Sequence, residues 1–322
     1  MNNIKIFNFM KYKYLFGILS LFLIIISIYN ITIKQLNYGV DFAGGTLIQI
    51  KYNNNNIQIE KIRKKLKEEK EFKSVSVTKF GNNNEFIIKM QLTNSNLKNK
   101  INKKLKKVLK DTGLFEIRRV DMVGPKVGAE LKEKGIKATI FALIGILIYI
   151  IIRYELIFSV SSVIPLFHDV IITLGFISIL NIEINLDVLA AILTIIGYSL
   201  NDTIIIFDRI KETIITQVKE KELNKIINYA ISSTLTRTLI TSLTTFFVIF
   251  TLYIYGGEII KPFAITLLIG IIVGTYSSIY IASSSLIFLK FDILQYRKKI
   301  EQKKKKEKEK EQLRTKYANG IL

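Results

Sequence analysis

Residues 187–207 read DVLAAILTIIGYSLNDTIIIF. At 1.5 Å per residue a helix of this length crosses the ~30 Å hydrocarbon core of a bilayer. The run has no strand-like alternation, and only one charged residue, Asp202, interrupts its interior. The stretch therefore reads as a transmembrane helix with an acid at membrane depth. Working outward, five further runs have comparable length and apolarity: 14–33, 136–152, 156–180, 235–255 and 263–289. The expected fold is a membrane α-helical bundle of six transmembrane helices.

Composition agrees with that class. Hydrophobic residues make up 49% of the 322-residue chain, too many for a soluble protein that is also 23% charged. There is no cysteine, which excludes disulfides, thiolate catalysis and thiolate metal sites. A single histidine excludes a multi-histidine metal site, and no HExxH, Walker A or GxGxxG pattern occurs. No enzyme, no cofactor and no metal are expected. The net charge of +21 is spread through loops, insert and tail without a basic groove interleaved with aromatics. It reflects a lysine-rich composition, so no nucleic acid is expected as a partner.

The placement of the charge sets the topology. Arg153, the basic residues 209–225 and the basic tail fall on one side, and the short connections 181–185 and 256–262 fall on the other with Lys261 alone. By the positive-inside rule both termini are cytosolic. The first run is too long for a cleaved signal, and Lys34 to Asn37 is a poor cleavage site. The expected organisation is a cytosolic N-terminus (1–13), transmembrane helix 1 (14–33), an extracytoplasmic domain (38–130), transmembrane helices 2–6 (136–289) and a cytosolic basic tail (290–322). Within the insert, strand patterns at 46–52, 74–80, 85–92 and 114–120 alternate with helix patterns at 57–70 and 97–109. The order β-α-β-β-α-β predicts a small α+β ferredoxin-like domain between helices 1 and 2.

Ionisable groups at membrane depth are costly, at least ~2.5 kcal/mol for a charged Asp on insertion scales, and so mark candidate sites. His168 and Asp169 lie midway along the third run, close after Pro165, which frees a backbone carbonyl. A structural polar lock is the plainer alternative for that pair. Asp202 lies six residues, ~9 Å, inside Asp208, which marks the cytosolic edge. Arg237 enters the fifth run at similar depth. It reads either as an interfacial anchor or as the counter-ion of Asp202. In the second case, motion of span five against span four would alternately stabilise the carboxylate and favour the neutral acid. Gly197 and Asn201 share a helix face and suggest close packing beside Asp202. Asp187 reads as a helix cap, the Asp208, Arg209 and Glu212 group as a solvated helix end, and the Ser, Thr and Gly of spans five and six as packing.

Several motifs carry a family resemblance. Asp41-Phe42-Ala43-Gly44-Gly45-Thr46 is similar to the D-F-x-G-G signature of the SecF family, and Val123-Gly124-Pro125-Lys126-Val127-Gly128 to its V-G-P-x-x-G element. The blocks around His168-Asp169-Val170, Gly197-Tyr198-Ser199-Leu200-Asn201-Asp202-Thr203, Phe207-Asp208-Arg209 and Arg237-Thr238-Leu239 resemble its membrane blocks. The resemblance implies half of a resistance-nodulation-division transporter in the inner membrane, paired with a separate SecD subunit beside the SecYEG translocon. YajC, YidC, unfolded preprotein and membrane lipid are the further partners it implies. The implied activity is proton-driven promotion of preprotein export, with Asp202 and Arg237 at the family's proton-pathway positions. Ala43 departs from the residue common there, and the lysine-rich tail is no family requirement. Two alternatives from other classes are a small-molecule or lipid exporter, disfavoured by an insert of only some 90 residues, and a passive assembly scaffold.

Overall fold

The computed structural model describes residues 5–54, 57–69, 72, 75–81, 84–90, 98–217 and 219–318. Six helices are long and apolar enough to cross a membrane. They are α1 (Lys13–Ile33), α5 (Pro125–Arg153), α6 (Leu156–Ile179), α7 (Leu186–Thr216), α8 (Leu223–Tyr255) and a last span that starts as α9 (Lys261–Ser277). That span passes through a π-helical segment (Ser278–Ala282) and ends as α10 (Ser283–Phe288). The centre of the bundle is α6, α7 and α9. Small residues set their spacing: a side chain on Gly270 would meet Ile195, and one on Gly175 would meet Ser27 of α1. α1, α5 and α8 lie outside and leave large apolar side chains such as Phe22, Phe141 and Phe247 exposed, as lipid contact requires.

Two helices run past the apolar segments that hydropathy detects. α5 starts at Pro125, so the boundaries expected at 130 and 136 fall within one helix. Its first turns are charged and carry Glu130–Lys134 and Glu133–Lys137 pairs at 2.8 and 2.5 Å. Most of the hydrophilic loop expected after Asp208 is also helix, because α7 continues to Thr216 and α8 begins at Leu223. The tail is a helix, α11 (Ile293–Ala318). It is held by Arg297, which donates to the carbonyls of Ile214, Gln217 and Glu220, and by Phe291 and Tyr296, which pack on Phe158.

Between α1 and α5 lies the α/β domain. A short helix α2 (Val40–Ala43) precedes β1 (Gly45–Tyr52), α3 (Ile59–Lys67), β2 (Val75–Lys79), β3 (Glu85–Met90), α4 (Lys98–Val108) and β4 (Phe115–Val123). The expected β-α-β-β-α-β order is present, though residues 91–97, which join β3 to α4, lie outside the described set. The sheet is antiparallel in the order β2-β3-β1-β4, with Thr46 opposite both Met90 and Met122. Its core is Ile48, Ile50, Tyr52, Ile62, Leu66, Phe86, Ile88 and Leu105. Burial pushes the Tyr52 phenol above its ordinary pKa, opposed by its hydrogen bond with Thr112.

The motif residues Asp41, Gly44, Gly45, Gly124 and Pro125 meet where the chain enters and leaves this domain. Gly44 has φ +77°, and a Cβ there would lie 2.8 Å from Pro125 Cα. Gly128 presses equally close on Gly44 N and Phe42 O, and Gly124 is the N-cap residue of α5. Asp41 Oδ2 accepts from Leu186 N at the start of α7, where an anion suits the helix dipole. Backbone bonds tie Asn37 and Gly39 to Ile184, and Lys89 pairs with Glu183 at 2.8 Å. A cavity of about 660 Å³ opens beside this joint, lined in part by Tyr38, Arg63, Lys67 and Lys89. The domain thus meets the bundle at the chain crossing and at the Lys89–Glu183 pair.

Candidate functional site

His168, Asp169 and Asp202 fall along one polar seam among α6, α7, α8 and α9. Its first part is built on α6. Pro165 removes the donor that the Ser161 carbonyl would have in an unbroken helix, and that carbonyl instead accepts from Ser285 Oγ at 3.4 Å. One turn on, His168 and Asp169 are both buried, and His168 Nδ1 lies 2.7 Å from Asp169 Oδ1. The other carboxylate oxygen accepts from Ser199 Oγ of α7 at 2.5 Å and from Ser277 Oγ of α9 at 2.8 Å. Gly274 leaves room for this meeting, since a Cβ there would already be 3.5 Å from Asp169 Oδ2. On the far side of the imidazole, Nε2 is 2.9 Å from the hydroxyl of Tyr276, whose oxygen is 3.4 Å from Ser20 Oγ of α1. Every polar atom of the His168–Asp169 pair thus has a partner.

The second part lies one helical turn along α7. Asp202 is three residues beyond Ser199, ~4.5 Å along the axis and on the same side of the helix. It is 1% exposed, and neither of its carboxylate oxygens has a hydrogen-bond partner. Ser242 of α8 faces it without closing a well-formed bond. Ser242 in turn accepts from Thr275 Oγ1 of α9 at 3.0 Å. The hydroxyls of Thr203 and Thr238 are likewise buried without partners. A buried acid with no donor is expensive as a charge and still needs an acceptor as a neutral acid, so the position is unsatisfied in either state.

Arg237 does not complete this part of the seam. It is exposed on α8 and makes no ion pair among the described residues, so the expected pairing with Asp202 is absent from this conformation. The reason is helical phase. α8 turns Thr238 and Ser242 inward and packs Thr241 and Thr245 on the Tyr198 hydroxyl. Arg237 is displaced about 100° around the helix from Thr238. Gly197 and Asn201 also point away from the bundle, and a Cβ on Gly197 would touch nothing. The close packing expected of them is therefore not made within this chain. Together with Arg237 they give α7 and α8 a polar, small-residue outer face at membrane depth.

Sequence reasoning missed Tyr276 and Ser20, and treated Ser199, Ser242 and Ser277 as neighbours or packing. A mid-span tyrosine is the one available signal, because a phenol in hydrocarbon needs a polar partner.

Fold and seam define a class: a six-span membrane protein with a ferredoxin-like insert after its first span and linked ionisable groups in its core. Two family models match, one described as "Protein export membrane protein SecD/SecF, C-terminal" over residues 102–292 and one as "SecD/SecF GG Motif" over residues 29–55. The chain belongs to the SecD/SecF family. Among curated relatives, "Protein translocase subunit SecF" of Helicobacter pylori strain J99 is 45% identical over 317 residues, covering 98% of each chain. Its namesake in Calditerrivibrio nitroreducens is 47% identical over 88% of this chain and 94% of that one. The crystal structure of SecDF, "a translocon-associated membrane protein", from Thermus thermophilus superposes with TM-score 0.76 at 32% identity. The match covers 90% of this chain and 40% of that one. The "super-membrane-facing form" of SecDF gives TM-score 0.69.

Proposed function

We propose that this chain is the SecF-type accessory subunit of a Sec protein translocase and that it promotes preprotein export across the inner membrane by using the proton motive force. The observation that carries the mechanism is the seam: a satisfied His168–Asp169 pair bonded to Ser199, with the orphaned Asp202 one turn further along α7. In this reading both termini are cytosolic and the α/β domain is extracytoplasmic. Protons enter the seam and pass through Asp202.

The energetics are adequate. One charge crossing 100 mV releases ~2.3 kcal/mol, and each unit of pH difference adds ~1.4 kcal/mol. Swinging a two-state domain from 1:99 to 99:1 takes ~5.5 kcal/mol, so a few protons suffice without ATP. The crossing at Gly44, Pro125 and Gly128 gives such a motion its pivot, and the Lys89–Glu183 pair would part in it.

A SecD-type subunit would cover the outward face of Gly197, Asn201 and Arg237. A partner there also gives Arg237 a role: a small rotation of α8 would bring the guanidinium toward Asp202 and favour the carboxylate, and its return would favour the neutral acid. SecYEG, YajC, YidC and the unfolded preprotein complete the assembly in this proposal. Membrane vesicles carrying Asp202→Asn test it. Late-stage export should lose its dependence on the proton gradient, and a variant with wild-type gradient dependence would remove Asp202 from the mechanism. A scaffold, by contrast, would tolerate joint neutralisation of His168, Asp169, Asp202 and Arg237.

A further inference from the structure

Tyr276 and Ser20 extend the seam to a helix that the proton route does not need. The Tyr276 hydroxyl bridges His168 Nε2 and Ser20 Oγ, and its ring stands edge-on to the imidazole. Ser20 is 4% exposed, whereas Ile18, Leu19, Leu21 and Phe22 around it on α1 face outward. One turn after Tyr276, Tyr280 stacks on Phe16 of the same helix, with ring centroids 3.7 Å apart and planes 13° apart. Tyr280 sits in the π-helical segment, a local irregularity of the kind found where helices must adjust. The inner half of α1 therefore rests on Tyr276, which touches His168, and on Tyr280 one turn further along. Its other end leads into the α/β domain.

Resting on the proton-driven reading above, we propose that Tyr276 and Ser20 are positioning residues that pass the protonation state of the His168–Asp169 pair to α1. The hydrogen-bond directions supply the route. A carboxylate only accepts, so with Asp169 ionised the Nδ1 of His168 carries a hydrogen. In the neutral imidazole Nε2 is then an acceptor, Tyr276 donates to it, and the phenol oxygen is free to accept from Ser20. When Nε2 takes a proton it becomes a donor to Tyr276. The phenol must then turn its own hydrogen away, and Ser20 Oγ is the acceptor within reach. No proton leaves Tyr276: the added one stays on the imidazole, and the hydroxyls of Tyr276 and Ser20 reverse direction. The titratable groups facing His168 are Asp169 on its own helix and Tyr276 from α9; α1 offers only the Ser20 hydroxyl, and α7 reaches the pair through Ser199.

The cysteine-free sequence makes the test clean. Cysteines introduced at the exposed positions Lys79 and Glu258 carry spin labels in the full chain, reconstituted with its SecD-type partner in proteoliposomes. Inter-label distance is followed against pH, and proton flux is followed in parallel. The wild-type distance should shift with pH. Tyr276→Phe should lose that shift; Ser20→Ala, which leaves the His168 contacts in place, should lose it while flux continues, and Ser20→Thr, which keeps the hydroxyl, should restore it. If Tyr276→Phe does not fold, Ser20→Ala decides alone. A wild-type domain that ignores pH, or variants that respond as wild type does, would overturn the relay. Asp202→Asn reports separately: wild-type flux in that variant defeats the proton-driven reading, and the relay then stands or falls on the Tyr276 and Ser20 arms.

Discussion

Asp169 and Asp202 are the same side chain at the same 1% exposure, and they live under opposite conditions. Asp169 is bonded by donors from three helices, whereas Asp202 has only Ser242 facing it and no completed hydrogen bond. Ser199 serves the first acid, and the second lies one turn away on the same helix. The contrast separates two uses of a buried acid. A fully bonded carboxylate fixes the arrangement of the helices that hold it. An unbonded one contributes little to that arrangement and is free to change its charge when its surroundings change.

Four experiments break or sharpen this contrast. The largest effect belongs to Asp169→Ala, which strands His168, Ser199 and Ser277. It should destabilise the purified chain by ~3–5 kcal/mol, read as a fall in unfolding midpoint in detergent. A loss below ~1 kcal/mol would erase the distinction between the acids. Next, Ser277→Ala removes one donor to Asp169 and should cost ~1–2 kcal/mol. Ser242→Ala on the Asp202 side should cost clearly less, and equal costs would mean that the two acids are equally supported. Third, Asp202→Asn should change stability by no more than ~1 kcal/mol although it abolishes gradient-dependent export. Unfolding comparable to that of Asp169→Ala would show a structural role instead. The smallest effect is that of Arg237→Gln, within ~0.5 kcal/mol for the isolated chain because the guanidinium is exposed and forms no ion pair among the described residues. The same change should weaken gradient-dependent export in the assembled complex, and normal export would detach Arg237 from the seam.

Much of this was legible in the sequence, for identifiable reasons. The six spans follow from apolar length alone, and the insert's strand order from alternation and turn residues. His168, Asp169 and Asp202 were visible because an ionisable group at membrane depth is conspicuous whatever surrounds it. Hydropathy reports where a helix is in hydrocarbon and says nothing about where it stops, so the extensions of α5 to Pro125 and of α7 to Thr216 went unseen. Helical phase between two spans is not written in either of them. A residue or two of rotation sends Thr238 inward and Arg237 outward, and no pattern within 235–255 distinguishes the two faces sharply. The Tyr276 bridge depends on three helices meeting, and the π-helical segment beside it has no sequence signature of its own.

The crossing of Gly44 with Pro125 and Gly128 has a mechanical consequence. The polypeptide enters and leaves the α/β domain through a single gate two backbones wide. A body hung this way can swing like a flag on its pole once the Lys89–Glu183 pair parts, because both connecting segments turn together and neither must lengthen. Side chains added at the gate would force its two backbones apart without touching any ionisable group.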